Sequence, residues 1–371
     1  MKIVDVTTRL VRLDMKSWYG RTPVPPGAPL EWQIPLVTVT TDTGLQGHAT
    51  GYDTYGGGPS VAALIRDQYR PAILGEDPLH TEKLWHKYKW LNRHLRNARD
   101  AASGLIDVCC WDLRGQVAGL PIAALLGIYR TKVPCYATAA PLTITTVEAT
   151  VEQVQRAREA GYHGCKLQLW DGPARDIPRL RAAREAAGPN FLLMVDSSGV
   201  YNYTEAIEVG HVLDELHYHW FEEPVHDAQT EILKRLADQL RTPILAAETT
   251  TAHDVPDYIR NGAVDIVRGD AYIKGGITGL RKALAACELF GYDIEIHTAA
   301  TPLLDVANLQ VACSVKNCGM VEHHHPVFRF GLKNAPLEID REGYQHLPNG
   351  PGLGVEIDWD WIKHHTIAVV R

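Results

Sequence analysis

FLLMVDSS (191–198), HWFEEP (219–224) and PILAAET (243–249) decide how this chain is read. Each is a short apolar run closed by a carboxylate, and the three carboxylates are evenly spaced: Asp196, Glu222 and Glu248, with 222 − 196 = 26 and 248 − 222 = 26. One strand, one helix and their turns take about that many residues, so the spacing predicts three successive strands of a βα barrel carrying acids at equivalent ends. Carboxylates brought together out of water repel one another unless a positive charge lies between them. Three converging ends therefore predict an oxygen-lined site for a hard divalent cation.

Working outward, the same strand-then-helix rhythm fills the middle of the chain. VPCYATA, GCKLQL, FLLMVDSS, HWFEEP, ILAAET, DIVRGDA, DIEIHTAA and GMVEHH start at 133, 164, 191, 219, 244, 265, 293 and 319, intervals of 21 to 31 residues. Eight such units close a parallel barrel. An open doubly wound sheet would place a glycine-rich phosphate turn after its first strand, and ATAAPLTITT (137–146) is not one. Residues 1–125 read as an antiparallel meander followed by helices, and 331–371 returns to strand-like runs. Neither piece has enough apolar surface to fold alone, so the expected organisation is an α+β capping domain (1–125), a barrel (126–330) and a C-terminal segment (331–371) packing back on the cap.

Composition narrows the partners. With 371 residues, 45% hydrophobic and 22% charged, a net charge of −7 and a pI near 6.2, the chain has no basic face for nucleic acid or anionic lipid. A small-molecule carboxylate is the expected partner. MKIVDVTTRLVRLD carries charges where a signal peptide needs an apolar stretch, and no later run is long enough to span a bilayer, so a cytoplasmic protein is expected. The seven cysteines show no CxxC spacing and read as buried thiols.

Catalytic groups of a βα barrel project from the C-terminal ends of its strands. In order these ends offer Lys166 and Gln168; Asp196 and Ser198; Glu222 and Glu223; Glu248; Arg268 and Asp270; His297; and Glu322 followed by His323, His324 and His325. Three consecutive residues of a strand cannot face one point, so the histidine run is expected in loop or supporting roles rather than as a metal cluster. Two segments rich in Gly, Pro and aromatics, 15–32 and 48–60, suit loops covering a barrel mouth.

ASGLIDVCCWDLRGQVAGLPIAALLG (102–127), FEEP (221–224), AAET (246–249), RGDAYIKGGITG (268–279) and VEHHH (321–325) together resemble the enolase superfamily, in its mandelate racemase/muconate lactonizing enzyme branch. The resemblance implies a modified TIM barrel of the (β/α)7β type and a homo-oligomer, an octamer or smaller. It implies Mg²⁺ held by Asp196, Glu222 and Glu248, with Glu223 in a supporting place that strand alternation also favours. It makes Asp270 and His297 a dyad in which the carboxylate orients the imidazole. Lys166 then holds the substrate carboxylate, and Glu322 donates a hydrogen bond to it. Enolase-type sites using a Lys or His base with Mg²⁺ are a known solution for stabilising an ene-diolate.

Two departures from the family pattern shape the expected reaction. Family members often carry Lys-x-Lys on the second strand, and here the run is Lys166-Leu167-Gln168. An amide cannot take a proton at neutral pH, which argues against racemisation with its need for a base on each face. Elimination needs only one acid/base group: His297 can remove the α-proton and return it to a β-hydroxyl on the same side. Dehydration of a sugar acid is the expected reaction. Cycloisomerisation of a lactone or anhydro ring is the alternative, Tyr136 a substitute base, and a catalytically idle acid-binding barrel the reading outside enzymes. The second departure is Ser198, where relatives often have Asn. Gln168, Ser198, Tyr19, Arg21 and Glu322 are the expected substrate contacts, and Trp32, His48, Tyr52 and Tyr55 are further candidates for specificity.

Overall fold

The computed structural model describes residues 1–16, 30–52, 57–94, 100–138, 146–298, 301–324 and 326–371. Tyr19, Arg21, Tyr55 and His325 lie outside the described residues. Strands β1 (Ile3–Asp14), β2 (Glu31–Thr41) and β3 (Gln46–Thr50) form an antiparallel meander, and the last strand, β13 (Thr366–Val370), adds to the free side of β1. The register of β1 against β13 shifts between Leu10 and Val11. There the buried residues change faces: Ile3 and Val6 enter the main core, while Val11, Leu13 and Met15 enter a second cluster with Trp32, Phe328 and Ile362. That second cluster carries the cap onto the rim of the barrel.

The helix Ala101–Ala118, the signature segment of the sequence, is buried along most of its length and packs on β3. Its approach is close. A Cβ on Gly47 would lie 2.1 Å from the carbonyl oxygen of Cys109, so only glycine fits there. All seven cysteines are buried and free.

Strands β4 (Lys132–Thr138), β5 (Gly164–Gln168), β6 (Leu192–Asp196), β7 (Phe221–Glu222), β8 (Ile244–Ala246), β9 (Ile266–Gly269), β10 (Asp293–Ile296) and β11 (Val321–His323) run parallel, and β11 pairs back onto β4 to close the barrel. Each falls within the run that the sequence assigned to it or one residue outside. Seven helices, from Val147–Glu159 to Pro302–Ala312, alternate with them, and β11 is followed by a short 3-10 turn, Pro326–Phe328, where an eighth helix would start. A short strand, β12 (Tyr344–His346), lies antiparallel against the start of β4.

Alternation along the strands divides the barrel residues between two environments. Outward residues such as Val195, Phe221, Val267 and Ile296 join the helices in one continuous core. Inward, Tyr136, Met194, Trp220, Leu245 and Met320 pack together as an apolar floor. Two residues beyond Met194, Trp220 and Met320 the inward positions become ionic, Asp196, Glu222 and Glu322, and Lys166 of β5 and Arg268 of β9 complete the charged layer. Among the described residues no helix is long and apolar enough to cross a membrane.

Candidate active site

Two buried cations organise the charged layer. Lys166 Nζ lies 3.3 Å from Asp196 Oδ2, 3.0 Å from Glu222 Oε2 and 2.9 Å from Glu322 Oε1. Arg268 reaches Glu222 Oε1 at 2.8 Å, Glu248 Oε2 at 3.7 Å and Glu322 Oε2 at 2.5 Å, and its Nη1 donates to the Tyr136 hydroxyl at 2.9 Å. Burial alone would push both basic groups towards neutrality, but the surrounding carboxylates outweigh it and hold both pKa values well above their ordinary range. Lys166 thereby carries a positive charge among these carboxylates. Tyr136, fully buried and with its pKa driven up by burial, accepts from Arg268 and does not line the cavity, so it is no substitute base.

The same charges act on Glu322. Burial would raise its pKa, yet Lys166, His324 and Arg268 hold it well below the usual carboxylate range, and Thr138 donates its hydroxyl to Oε1. Glu322 is an ionised acceptor.

Asp270 and His297 meet as the sequence predicts. His297 Nδ1 lies 2.8 Å from Asp270 Oδ2, and Asp270 Oδ1 accepts from the backbone N–H groups of Tyr272 and Ile273 at 2.8 and 2.7 Å. Those two amides fix the carboxylate. With Nδ1–H directed to it, Nε2 is left to face the cavity. Burial lowers the basicity of His297, but the charge of Glu248 and the bond to Asp270 exceed it and raise the pKa to about 9. Asn308, which the sequence reading missed, ties the two strand ends together: its Nδ2 donates to the His297 carbonyl at 3.0 Å and its Oδ1 accepts from Ala271 N at 2.9 Å. It sits on the helix Pro302–Ala312, where nothing in a lone sequence marks it as different from a capping or surface amide.

The acidic side of the mouth carries the backbone strain. Ser198, Glu223 and Ala247 have φ of 48°, 41° and 74°, left-handed values at non-glycine residues, at the ends of three consecutive strands. At β7 this breaks the alternation the sequence reading relied on. Glu222 points into the barrel between Lys166 and Arg268 with no exposed surface, while Glu223 turns to line the cavity beside Asp196 and Glu248. Burial and the charges of Glu248, Asp227, Asp196 and Glu222 drive the Glu223 pKa strongly upward. Lys274 and Asp227, two further residues absent from the sequence reading, build the turn that presents Glu248. Lys274 Nζ donates to the carbonyls of Ala247 and Thr250 at 2.6 and 2.7 Å, and Asp227 accepts from Ala247 N and Thr249 N at 2.7 and 2.8 Å.

These groups surround a cavity of about 160 Å³. Lys166, Gln168, Asp196, Ser198, Glu248, His297 and Glu322 all line it; of the other predicted catalytic and metal-binding residues, Glu222 lies beneath, between Lys166 and Arg268, and Asp270 stands behind His297. The cap contributes Tyr52, whose ring stands edge-on to Trp32 at 5.5 Å, and Phe328 closes the wall. His324 also faces the cavity, because residues 322 and 324 share one side of the strand, whereas His323 turns outward to Tyr162 and the Leu337 carbonyl. His48 is elsewhere: it lines a separate cavity of about 500 Å³ with Asp112 and Trp359, which none of the residues above reaches.

Against known proteins, residues 149–361 match the family described as enolase C-terminal domain-like, and 30–127 match the mandelate racemase/muconate lactonizing enzyme N-terminal domain. The chain belongs to the enolase superfamily, in that branch. It is 31% identical over 333 residues to an arabinonate dehydratase of Saccharolobus solfataricus, covering 88% of each chain. It is 30% identical over 314 residues to a D-galactarolactone cycloisomerase of Agrobacterium fabrum, covering 80% of this chain and 83% of that one. A crystal structure of L-talarate dehydratase from Polaromonas sp. JS666, complexed with Mg and L-glucarate, superimposes with a TM-score of 0.84 at 30% identity over 99% of this chain and 98% of that one. The relatives thus include lyases and isomerases.

Proposed function

We propose that this protein is a Mg²⁺-dependent acid-sugar dehydratase that removes water from a hydroxy acid to give a 2-keto-3-deoxy acid. The observation that carries the reading is a base oriented by a carboxylate: His297, held by Asp270, lines a cavity that also presents Lys166, acidic groups and the unreactive amide of Gln168, together with Ser198, His324, Tyr52 and Phe328.

The donor set fits a hard cation. Asp196, Glu222, Glu223, Glu248 and Glu322 crowd around Lys166 and Arg268, and Glu223 has its pKa driven up by burial and by its acidic neighbours. Asp196, Glu222 and Glu248 would hold the ion, with Glu223 beside them. When bound, such an ion supplies positive charge to the carboxylate oxygens as the neighbouring carbon loses its proton.

The chain's own residues do the rest. Lys166 offers a fixed charge to the substrate carboxylate, and His297 Nε2 takes the proton from C2. The electron pair of that C–H bond forms the C2–C3 double bond as the C3–O bond breaks. The hydroxyl leaves with one proton as water, and the enol product tautomerises to the 2-keto acid. Enzymes lower barriers by about 8–23 kcal/mol, of which a general base supplies roughly 3–5 kcal/mol. The larger share falls to the fixed charges, provided the cap excludes water. Tyr52 from the cap and Gln168 and Ser198 at the strand ends are the expected substrate contacts.

Purified protein with Mg²⁺, screened against aldonic and aldaric acids, should form a 2-keto acid from at least one of them and exchange its α-proton in deuterated water. Absence of both would overturn the reading. The cycloisomerase relative supports the second reading, opening or closing of a lactone by the same proton abstraction. NMR of products from lactones and open-chain acids separates the two. The same reading includes a homo-oligomer, which light scattering measures.

A further inference from the structure

His324 is the one imidazole lining the cavity, among the described residues, that the scheme above leaves idle. It follows the last residue of β11, on the strand next to the one that leads into His297, so both rings attend the same flank of the cavity. Their centroids are 6.5 Å apart at 78°, and a nitrogen of each lies within 4.8 Å of the other and of a Glu322 oxygen. The side chain is 16% exposed. Its Nε2 is buried and makes no hydrogen bond, although Glu322 Oε1 is 3.4 Å away; that oxygen already takes the Thr138 hydroxyl and the Lys166 ammonium. Phe328 meets the ring edge-on at 6.0 Å and 87°. A polar atom drawn out of water without a hydrogen bond costs free energy, and one on a residue that lines a substrate cavity can gain its partner when the ligand arrives.

The spacing suits neighbouring atoms of one substrate. A nitrogen abstracting a proton from C2 sits roughly 3 Å from that carbon, and one donating to the oxygen on C3 sits about 2.8 Å from it. Two ring nitrogens within 4.8 Å of one another are close enough to span such a pair. We propose that His324 is the proton donor to the departing hydroxyl, so that the elimination uses two imidazoles: His297 takes the α-proton and His324 protonates the leaving group. This rests on the dehydratase reading. The C2–H pair becomes the C2–C3 π bond, the C3–O pair leaves on oxygen, and that oxygen takes its proton from His324 and departs as water. His297 then loses its proton to solvent and His324 regains one.

The test uses the Mg²⁺-loaded full chain and His324→Asn on arabinonate, galactonate and galactarate, together with their 3-deoxy-3-fluoro derivatives, from which fluoride leaves without needing a proton. For the acids that the wild type turns over, water loss in the variant should fall on the order of 10²-fold or more. Fluoride release and α-deuterium exchange should stay within about threefold of wild type, a split that a misfolded variant would not give. Water loss at the wild-type rate, or an equal fall on hydroxy and fluoro substrates, overturns the assignment to His324 while leaving the dehydratase reading intact. A wild type that neither exchanges nor eliminates removes both.

Discussion

The eight barrel strands enclose two interiors of opposite character. At the floor, Tyr136, Met194, Trp220, Leu245 and Met320 pack together, with the Tyr136 hydroxyl turned to Arg268; beside and beyond them, Lys166, Asp196, Glu222, Arg268 and Glu322 fill the same bore with charge. One alternation produces both layers. They differ in what burial does. Apolar side chains gain free energy on leaving water, at about 25 cal/mol per Å², whereas each ion loses hydration and recovers it only through its partners. The backbone agrees, because left-handed residues mark the charged ends of β6, β7 and β8. The floor holds the fold together, and the charged layer spends part of that stability on a poised site.

Four experiments break or sharpen this contrast. The largest effect is expected at His297→Asn, where loss of the base should lower turnover by about 10³–10⁴-fold with little change in the urea midpoint; unchanged turnover would remove His297 from the chemistry. At the floor the pattern should invert. Trp220→Ala, which empties a fully buried site, should cost roughly 3–5 kcal/mol of stability in urea titration, and a cost below about 1 kcal/mol would show that the floor does not carry the fold.

Acid should act on a third place, just outside the bore. His323 is buried and neutral: Nε2–H donates to the Leu337 carbonyl at 2.8 Å and Nδ1 accepts from Tyr162, and burial lowers its pKa from 6.5 to about 3. The folded state thus resists protonation that the unfolded chain accepts below pH 6.5. Stability should fall between pH 6.5 and 4.5 by on the order of 3 kcal/mol, and His323→Gln should flatten that slope. An unchanged slope would assign the acid sensitivity elsewhere. The smallest effect concerns the two adjacent glutamates. Glu222→Gln should weaken Mg²⁺ binding, read by calorimetry, by more than tenfold, and Glu223→Gln by about tenfold or less. The reverse order would make Glu223 the ligand and leave Glu222 as the counter-ion of Lys166 and Arg268.

Much of this site was legible because strand spacing and the period of two are local properties. Asp196, Glu248, His297 and Lys166 were named from strand ends and reach one cavity, and Asp270, named with them, bonds His297 from behind. Reasoning failed where the backbone leaves that period. A φ of 41° at Glu223 reverses which of two neighbouring acids faces the opening, and no residue type near it announces the change. The spacing also carried no sign of the neighbours that Glu322 meets from other strands, Lys166 from β5 and Arg268 from β9, which pull its pKa down. His324 was set aside with its two neighbours because three consecutive residues cannot converge, although two of them, 322 and 324, share a face.

By itself the sequence determined the closed parallel barrel, the capping segments and the strand ends on which chemistry sits, since these follow from the order and periodicity of apolar residues along one chain. Only the tertiary structure decided which acids are compensated, which proton-bearing groups meet and which aromatic side chains of the cap reach the cavity. Those properties belong to distances of about 3 Å between residues up to 220 positions apart, as between Tyr52 and Tyr272, and electrostatic interactions at that range depend on burial and partners that no linear spacing encodes.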